Sequence, residues 1–139
     1  MRYWTAEGAA FLIARSLRSG SGKYPMCHVL IIEDEPFVAM SIQATLEDEG
    51  ATSFDIAVTQ EDAVAAAMSH RPELITSDVR LARGTGPAAV QEIHRRLGMV
   101  PVIFISGTPE ECQPCNPPGI VLPKPLRRGA LESPFHQLL

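Results

Sequence analysis

Short apolar runs, each closed by a polar residue, recur along this chain, separated by segments in which apolar positions fall at helical spacing. The strongest runs are 28–33 (HVLIIE), 74–78 (LITSD), 102–106 (VIFIS) and 120–124 (IVLPK), and a weaker one spans 54–58. Continuous Val and Ile without a polar alternation is the pattern of parallel strands covered on both faces. Between the runs, Pro36 stands where a first-turn proline is tolerated, and Val38, Ala39, Ile42 and Leu46 mark one face of a helix ending at Gly50. An alanine-rich helix is predicted over 61–70, stopped before Pro72, and another over 87–97, ended by Gly98. A final, ragged helix is expected over 126–138, with Pro134 inside it. Five successive strand–helix units imply a parallel sheet with helices on both faces.

The first 25 residues stand apart from this alternation. Thr5 could cap a helix over 5–18 whose apolar side is Phe11, Leu12, Ile13 and Leu17, and Ser19-Gly-Ser-Gly22 reads as a linker. Because Met26 directly precedes the first strand, residues 1–25 are either sequence upstream of the native start or a helix that packs on the domain or a partner. The length of 139 residues suits one domain with a full core. The net charge of −4 is uneven, with +3 in residues 1–25 and −7 in the rest, which argues against a nucleic-acid surface. No apolar stretch approaches the roughly 20 residues of a membrane span, and Ala9–Ala14 is short for a signal-peptide core. A cytoplasmic protein without membrane association is expected. Three cysteines, Cys27, Cys112 and Cys115, with no secretory signal make a disulfide framework unexpected.

The polar residues that close the runs carry the chemistry. Glu33-Asp34-Glu35 crowds three acids at a strand end, and a hard divalent cation relieves such repulsion through oxygen ligands. Asp78 closes another strand 44 residues after Asp34. A single strand-end Asp ordinarily caps the following segment; Lys124 makes that reading insufficient, since the chain has only two lysines against ten arginines and this one sits between two prolines. An ammonium neutralises carboxylate and phosphoryl oxygens alike. Ser106, followed by Gly107, offers a hydroxyl donor to the same group. In doubly wound sheets ligands bind beyond the strand carboxyl ends.

Taken in order, Val29-Leu-Ile-Ile-Glu-Asp-Glu-Pro36, Asp78 with Gly86 eight residues on, Ser106-Gly107 and Lys124-Pro125 resemble the receiver domain of two-component response regulators. The resemblance covers residues 27–139, so the chain divides into an extension (1–25) and a receiver domain (26–139). It implies a flavodoxin-like sheet of order 2-1-3-4-5, which makes strands one and three neighbours. It further implies that Asp78 accepts a phosphoryl group from a sensor histidine kinase or a histidine phosphotransfer protein. Glu33, Asp34, the Asp78 carboxylate and the Arg80 backbone carbonyl would hold Mg²⁺. Lys124 would neutralise the phosphoryl charge and Ser106 would couple the event to a surface change. Such a domain is a phosphoacceptor, not an enzyme in its own right; it signals to a downstream protein or passes the phosphoryl group on in a relay, and no DNA-binding motif follows Lys124.

Three departures from the receiver pattern stand out. The strand-five position usually held by Tyr or Phe is Val121, which has no ring to rotate. Ser106 and Lys124 are only 18 residues apart, and Pro109, Pro114, Pro117 and Pro118 crowd the interval; interior prolines break helices. The fourth helix, between strands four and five, is therefore expected to shrink to one or two turns or become a loop. Within it, Cys112-Gln-Pro-Cys115 is a CxxC lacking the second ligand pair of a closed zinc site, so two small loop residues are the simpler reading and a redox or metal role the minor one. Arg80 and Arg83 follow Asp78, placed to meet a phosphate, to pair with Glu35, or to remain solvated. His28, His70, His94 and His136 show no metal spacing. These departures leave two alternatives: a phosphorylation-independent binding module of receiver fold, and a redox or metal sensor using Cys112 and Cys115.

Overall fold

The computed structural model describes residues 26–112, 115, 117–127 and 129–139. The helix expected over 5–18 and the boundary at residue 25 lie outside them. Five parallel strands form one sheet of order β2-β1-β3-β4-β5: β1 (His28–Ile32), β2 (Ser53–Ala57), β3 (Leu74–Ser77), β4 (Val102–Ser106) and β5 (Ile120–Pro123). The helices are α1 (Pro36–Glu49), α2 (Gln60–Ser69), α3 (Gly86–Leu97) and α4 (Glu132–Leu138).

The two faces of the strands fill two cores. Val29 and Ile31 of β1, Phe54 and Ile56 of β2 and Ile103 and Ile105 of β4 pack under α1 and α4, against Ala39, Ile42, Leu46, Leu131 and Phe135. Leu30, Ile32, Ala57, Ile75 and Phe104 point the other way, against Ala63, Ala66 and Ala67 of α2 and Ala89, Val90 and Ile93 of α3. This double coverage explains the unbroken apolar runs, because neither face of a central strand meets water.

Local chemistry sets the helix ends. Pro36 opens α1, and Gly50 ends it in the left-handed conformation (φ 118°) that glycine adopts at little cost. Thr59 caps α2 by accepting from the Asp62 N–H, and Thr85 caps α3 by accepting from the Ala88 N–H.

Between β4 and β5 there is no α-helix among the described residues, only a 3-10 turn over Pro109–Cys112, as the crowding of prolines predicts. Where the sequence made a disulfide unexpected, Cys112 is bonded to Cys115: the end of the 3-10 turn brings their Cα atoms to 4.6 Å across three residues, and Cys27 remains a buried thiol. The last helix also differs from expectation: it begins at Glu132, not near 126. Gly129 adopts φ 80° just before it, and Pro134 falls in the first turn, where its missing N–H leaves no bond unmade.

Candidate functional site

Parallel pairing places the carboxyl ends of β1, β3, β4 and β5 at one edge. Ile32 pairs with Ser77, so Glu33 and Asp78 leave adjacent strands side by side, and the Asp78 N–H donates to the Ile32 carbonyl. Ser106 pairs with Pro123, and the Lys124 N–H donates to the Ser106 carbonyl at 2.8 Å. The four strand-closing residues singled out in the sequence are thus brought to one edge by the 2-1-3-4-5 order.

Lys124 is the hub. Its Nζ lies 2.9 Å from Asp78 Oδ2, 3.1 Å from Glu33 Oε1 and 3.3 Å from Glu35 Oε1. Burial alone would lower its pKa, but the hydrogen bond to Asp78 and the charge of Glu33 outweigh it and raise it above the ordinary lysine range. The peptide that follows, Lys124–Pro125, is cis. The other Asp78 oxygen, Oδ1, accepts from the Val79 N–H at 2.8 Å. Both carboxylate oxygens are therefore held, and the carboxyl group presents one orientation.

One ammonium faces four acids. Carboxylate oxygens of Glu33, Asp34, Glu35 and Asp78 all lie within 4.8 Å of one another. Glu33 is 1% exposed, and burial, reinforced by the charge of Asp78 and only partly offset by Lys124, raises its pKa to about 7. Its Oε1 is buried and accepts no bond of hydrogen-bond geometry, while Oε2 accepts from the Glu35 N–H. An excess of clustered carboxylate oxygens around a single ammonium is the donor set of a hard divalent cation, and it fits Mg²⁺.

Ser106 is buried, and its Oγ accepts from the Thr108 N–H at 3.0 Å. Thr108 is a partner that no motif marks; its place two residues beyond Ser106 is the local signal of such a turn. Gly86 has a steric role: a Cβ there would lie 1.8 Å from the Asp78 carbonyl oxygen and 2.1 Å from Ser77 Oγ. Arg80 pairs with Glu111 of the 3-10 turn and not with Glu35, which Lys124 occupies. Arg83 lines an exposed groove between α2 and α3. Val121 is half-buried and packs on the α2–α3 side of the sheet.

The response regulator receiver domain profile matches residues 29–116. The phyllosphere-induced regulator PhyR of Methylorubrum extorquens is 36% identical over 115 residues, which cover 80% of this chain and 43% of that protein. The crystal structure of a mutant of the anti-anti-sigma factor PhyR from Bartonella quintana superposes with a TM-score of 0.73 at 30% identity, over 90% of this chain and 54% of that one. The receiver domain of a Pseudomonas aeruginosa sensor histidine kinase, solved with a magnesium ion coordinated in its active-site cleft, gives 0.71 at 25% identity over 82% of this chain and 98% of that one. The chain spans less than half the length of the curated relatives it matches. Among the described residues no helix is long and apolar enough to cross a membrane.

Proposed function

The chain belongs to the response regulator receiver domain family, and from that premise we propose that it accepts a phosphoryl group on Asp78, from a sensor histidine kinase or a histidine phosphotransfer protein, and signals through protein contact. The observation that carries this reading is the convergence of Lys124 Nζ on Asp78 at 2.9 Å within a cluster of acids. Glu33, Asp34, the Asp78 carboxylate and the Arg80 backbone carbonyl would hold Mg²⁺, which supplies charge neutralisation on the phosphoryl oxygens during transfer.

The chain's own residues account for the rest. An Asp78 carboxylate oxygen forms the new O–P bond as the N–P bond of the donor phosphohistidine breaks, and the donor imidazole leaves with the bonding electron pair. A carboxylate is a weak nucleophile, so its rate depends on positioning. Val79 N–H and Lys124 Nζ provide that positioning by holding one oxygen each. Transfer draws on the Lys124 charge, which shifts from Glu33 and Glu35 toward the phosphoryl oxygens. Ser106, released from the Thr108 N–H, donates its hydroxyl to the same oxygens and moves the start of the 3-10 turn with it. The reaction modifies the protein itself, so we class it as a phosphoacceptor and not as an enzyme acting on a separate substrate. Phe37 and Met40, both exposed on α1 near the acids, offer apolar contact to the donor protein.

A second reading, a binding module that works without phosphorylation, draws support from Val121 and from the absence of an α-helix between β4 and β5 among the described residues. Intact-mass measurement after incubation with acetyl phosphate separates the two. A labile gain of one phosphoryl group, requiring Mg²⁺ and absent in Asp78→Asn, supports the receiver mechanism; no gain in the wild type supports the module.

A further inference from the structure

Toward the opposite edge of the sheet from the acids, three side chains distant in sequence meet: His28 at the amino end of β1, Asp55 in the middle of β2 and His70 at the end of α2. We propose that His28, Asp55 and His70 form a second cation site, taking a divalent transition metal ion of the zinc class. Parallel register sets His28 beside Ser53, and Asp55 follows two residues later on the same face of β2. His70 ends α2, and its ring stacks on that of His28 with centroids 3.6 Å apart. Ligand atoms of the three side chains lie within 4.8 Å of one another.

The chemistry of the donors separates this site from the acid cluster. Two imidazoles and one carboxylate are a borderline-soft set that suits Zn²⁺ and its neighbours, whereas the acids offer oxygen alone and suit Mg²⁺. Two of the ligands are already fixed, since His28 is 4% and Asp55 1% exposed. The His28 Nε2 lies 3.0 Å from Asp55 Oδ2, and its Nδ1 lies 2.7 Å from Ser53 Oγ. That is the arrangement of a metal-binding histidine whose second nitrogen is held by an outer partner. On binding, the ion takes the place of the proton between Nε2 and the carboxylate, that proton passes to Nδ1, and the Nδ1–H donates to Ser53 Oγ. His70 is exposed, so it provides the entry side, its ring turning edge-on to complete the set with solvent. The ion ties β1, β2 and the end of α2 together, one strand length from Asp78, about 17 Å at roughly 3.3 Å per residue.

The test is calorimetric titration of the full chain with Zn²⁺, in excess Mg²⁺ to fill the acids and with the Cys112–Cys115 disulfide intact. The site predicts one Zn²⁺ per chain and a rise in Tm on binding. His70→Ala, an exposed position that leaves the fold intact, abolishes it. Ser53→Ala weakens it by about 10- to 100-fold, the usual cost of removing an outer partner. His136→Ala, which removes the surface histidine paired with Glu49, leaves it unchanged. No zinc binding by the wild type, or zinc binding that survives both His70→Ala and Ser53→Ala, overturns the proposal.

Discussion

Replacing Gly86 by alanine tests the steric basis of the site, because two effects of opposite sign meet at one atom. Alanine is a better helix former than glycine, by up to about 1 kcal/mol in a helix interior, and Gly86 is the first residue of α3. Against that, the new Cβ would lie 1.8 Å from the Asp78 carbonyl oxygen and 2.1 Å from Ser77 Oγ. It would sit across the hydrogen bond that Ser77 Oγ donates to that carbonyl and beside the Gly86 N–H bond to Val79. The obstacle is backbone at the end of a fully buried strand, so relief requires moving the segment that carries Asp78. Overpacking costs about 1–3 kcal/mol, and an obstruction this close belongs at the upper end. The expected net loss is about 2 kcal/mol, or about 8 °C in Tm for a domain of this size. Urea and thermal unfolding measure it, with Gly107→Ala as the comparison, since a Cβ at Gly107 meets nothing within 4 Å. Phosphorylation of Gly86→Ala by acetyl phosphate is expected to slow as well. A Gly86→Ala protein as stable as Gly107→Ala and labelled at the wild-type rate would show that the close approach at Gly86 does not hold the Asp78 segment in place.

Other substitutions probe separate parts of the account. Lys124→Met removes the ammonium that competes for the acids, so Mg²⁺ affinity by titration holds or rises while the phosphorylation rate falls by about 10²-fold, the cost of losing one donor to developing charge. Thr59→Ala removes the α2 cap and is expected to cost about 1 kcal/mol in urea unfolding. Phe104→Ala empties a fully buried position of β4 and is expected to cost about 3–5 kcal/mol, enough to leave much of the protein unfolded at 37 °C. Glu111→Ala breaks an exposed pair with Arg80 and is expected to change stability by less than about 1 kcal/mol.

The sheet and the acid cluster were legible because each depends on local pattern. Buried parallel strands require unbroken apolar runs, helix ends require Pro36, Gly50 and Gly98, and strand-end polar residues share an edge in any parallel sheet. The strand order itself came through the receiver resemblance, and it is what sets Asp78 beside Glu33. What stayed hidden depends on contacts across the fold. His28, Asp55 and His70 are scattered in sequence and meet only through the register of β1 with β2 and the length of α2. Leu126 packs on the core from a loop ahead of α4, and its apolar character imitates a helical position. Arg80 could have met several acids by sequence; the Lys124 contact with Glu35 and the turn carrying Glu111 decide its partner.

Whether Asp78 receives the phosphoryl group is decided by trapping the acyl phosphate. Protein treated with acetyl phosphate and Mg²⁺ is reduced with borohydride, which converts a phosphorylated aspartate to homoserine, and the peptides are sequenced by mass spectrometry. Homoserine is expected at position 78, dependent on Mg²⁺. Homoserine at position 34 or another aspartate, the corresponding five-carbon alcohol at a glutamate, or neither in protein that is folded and binds Mg²⁺, would overturn that assignment.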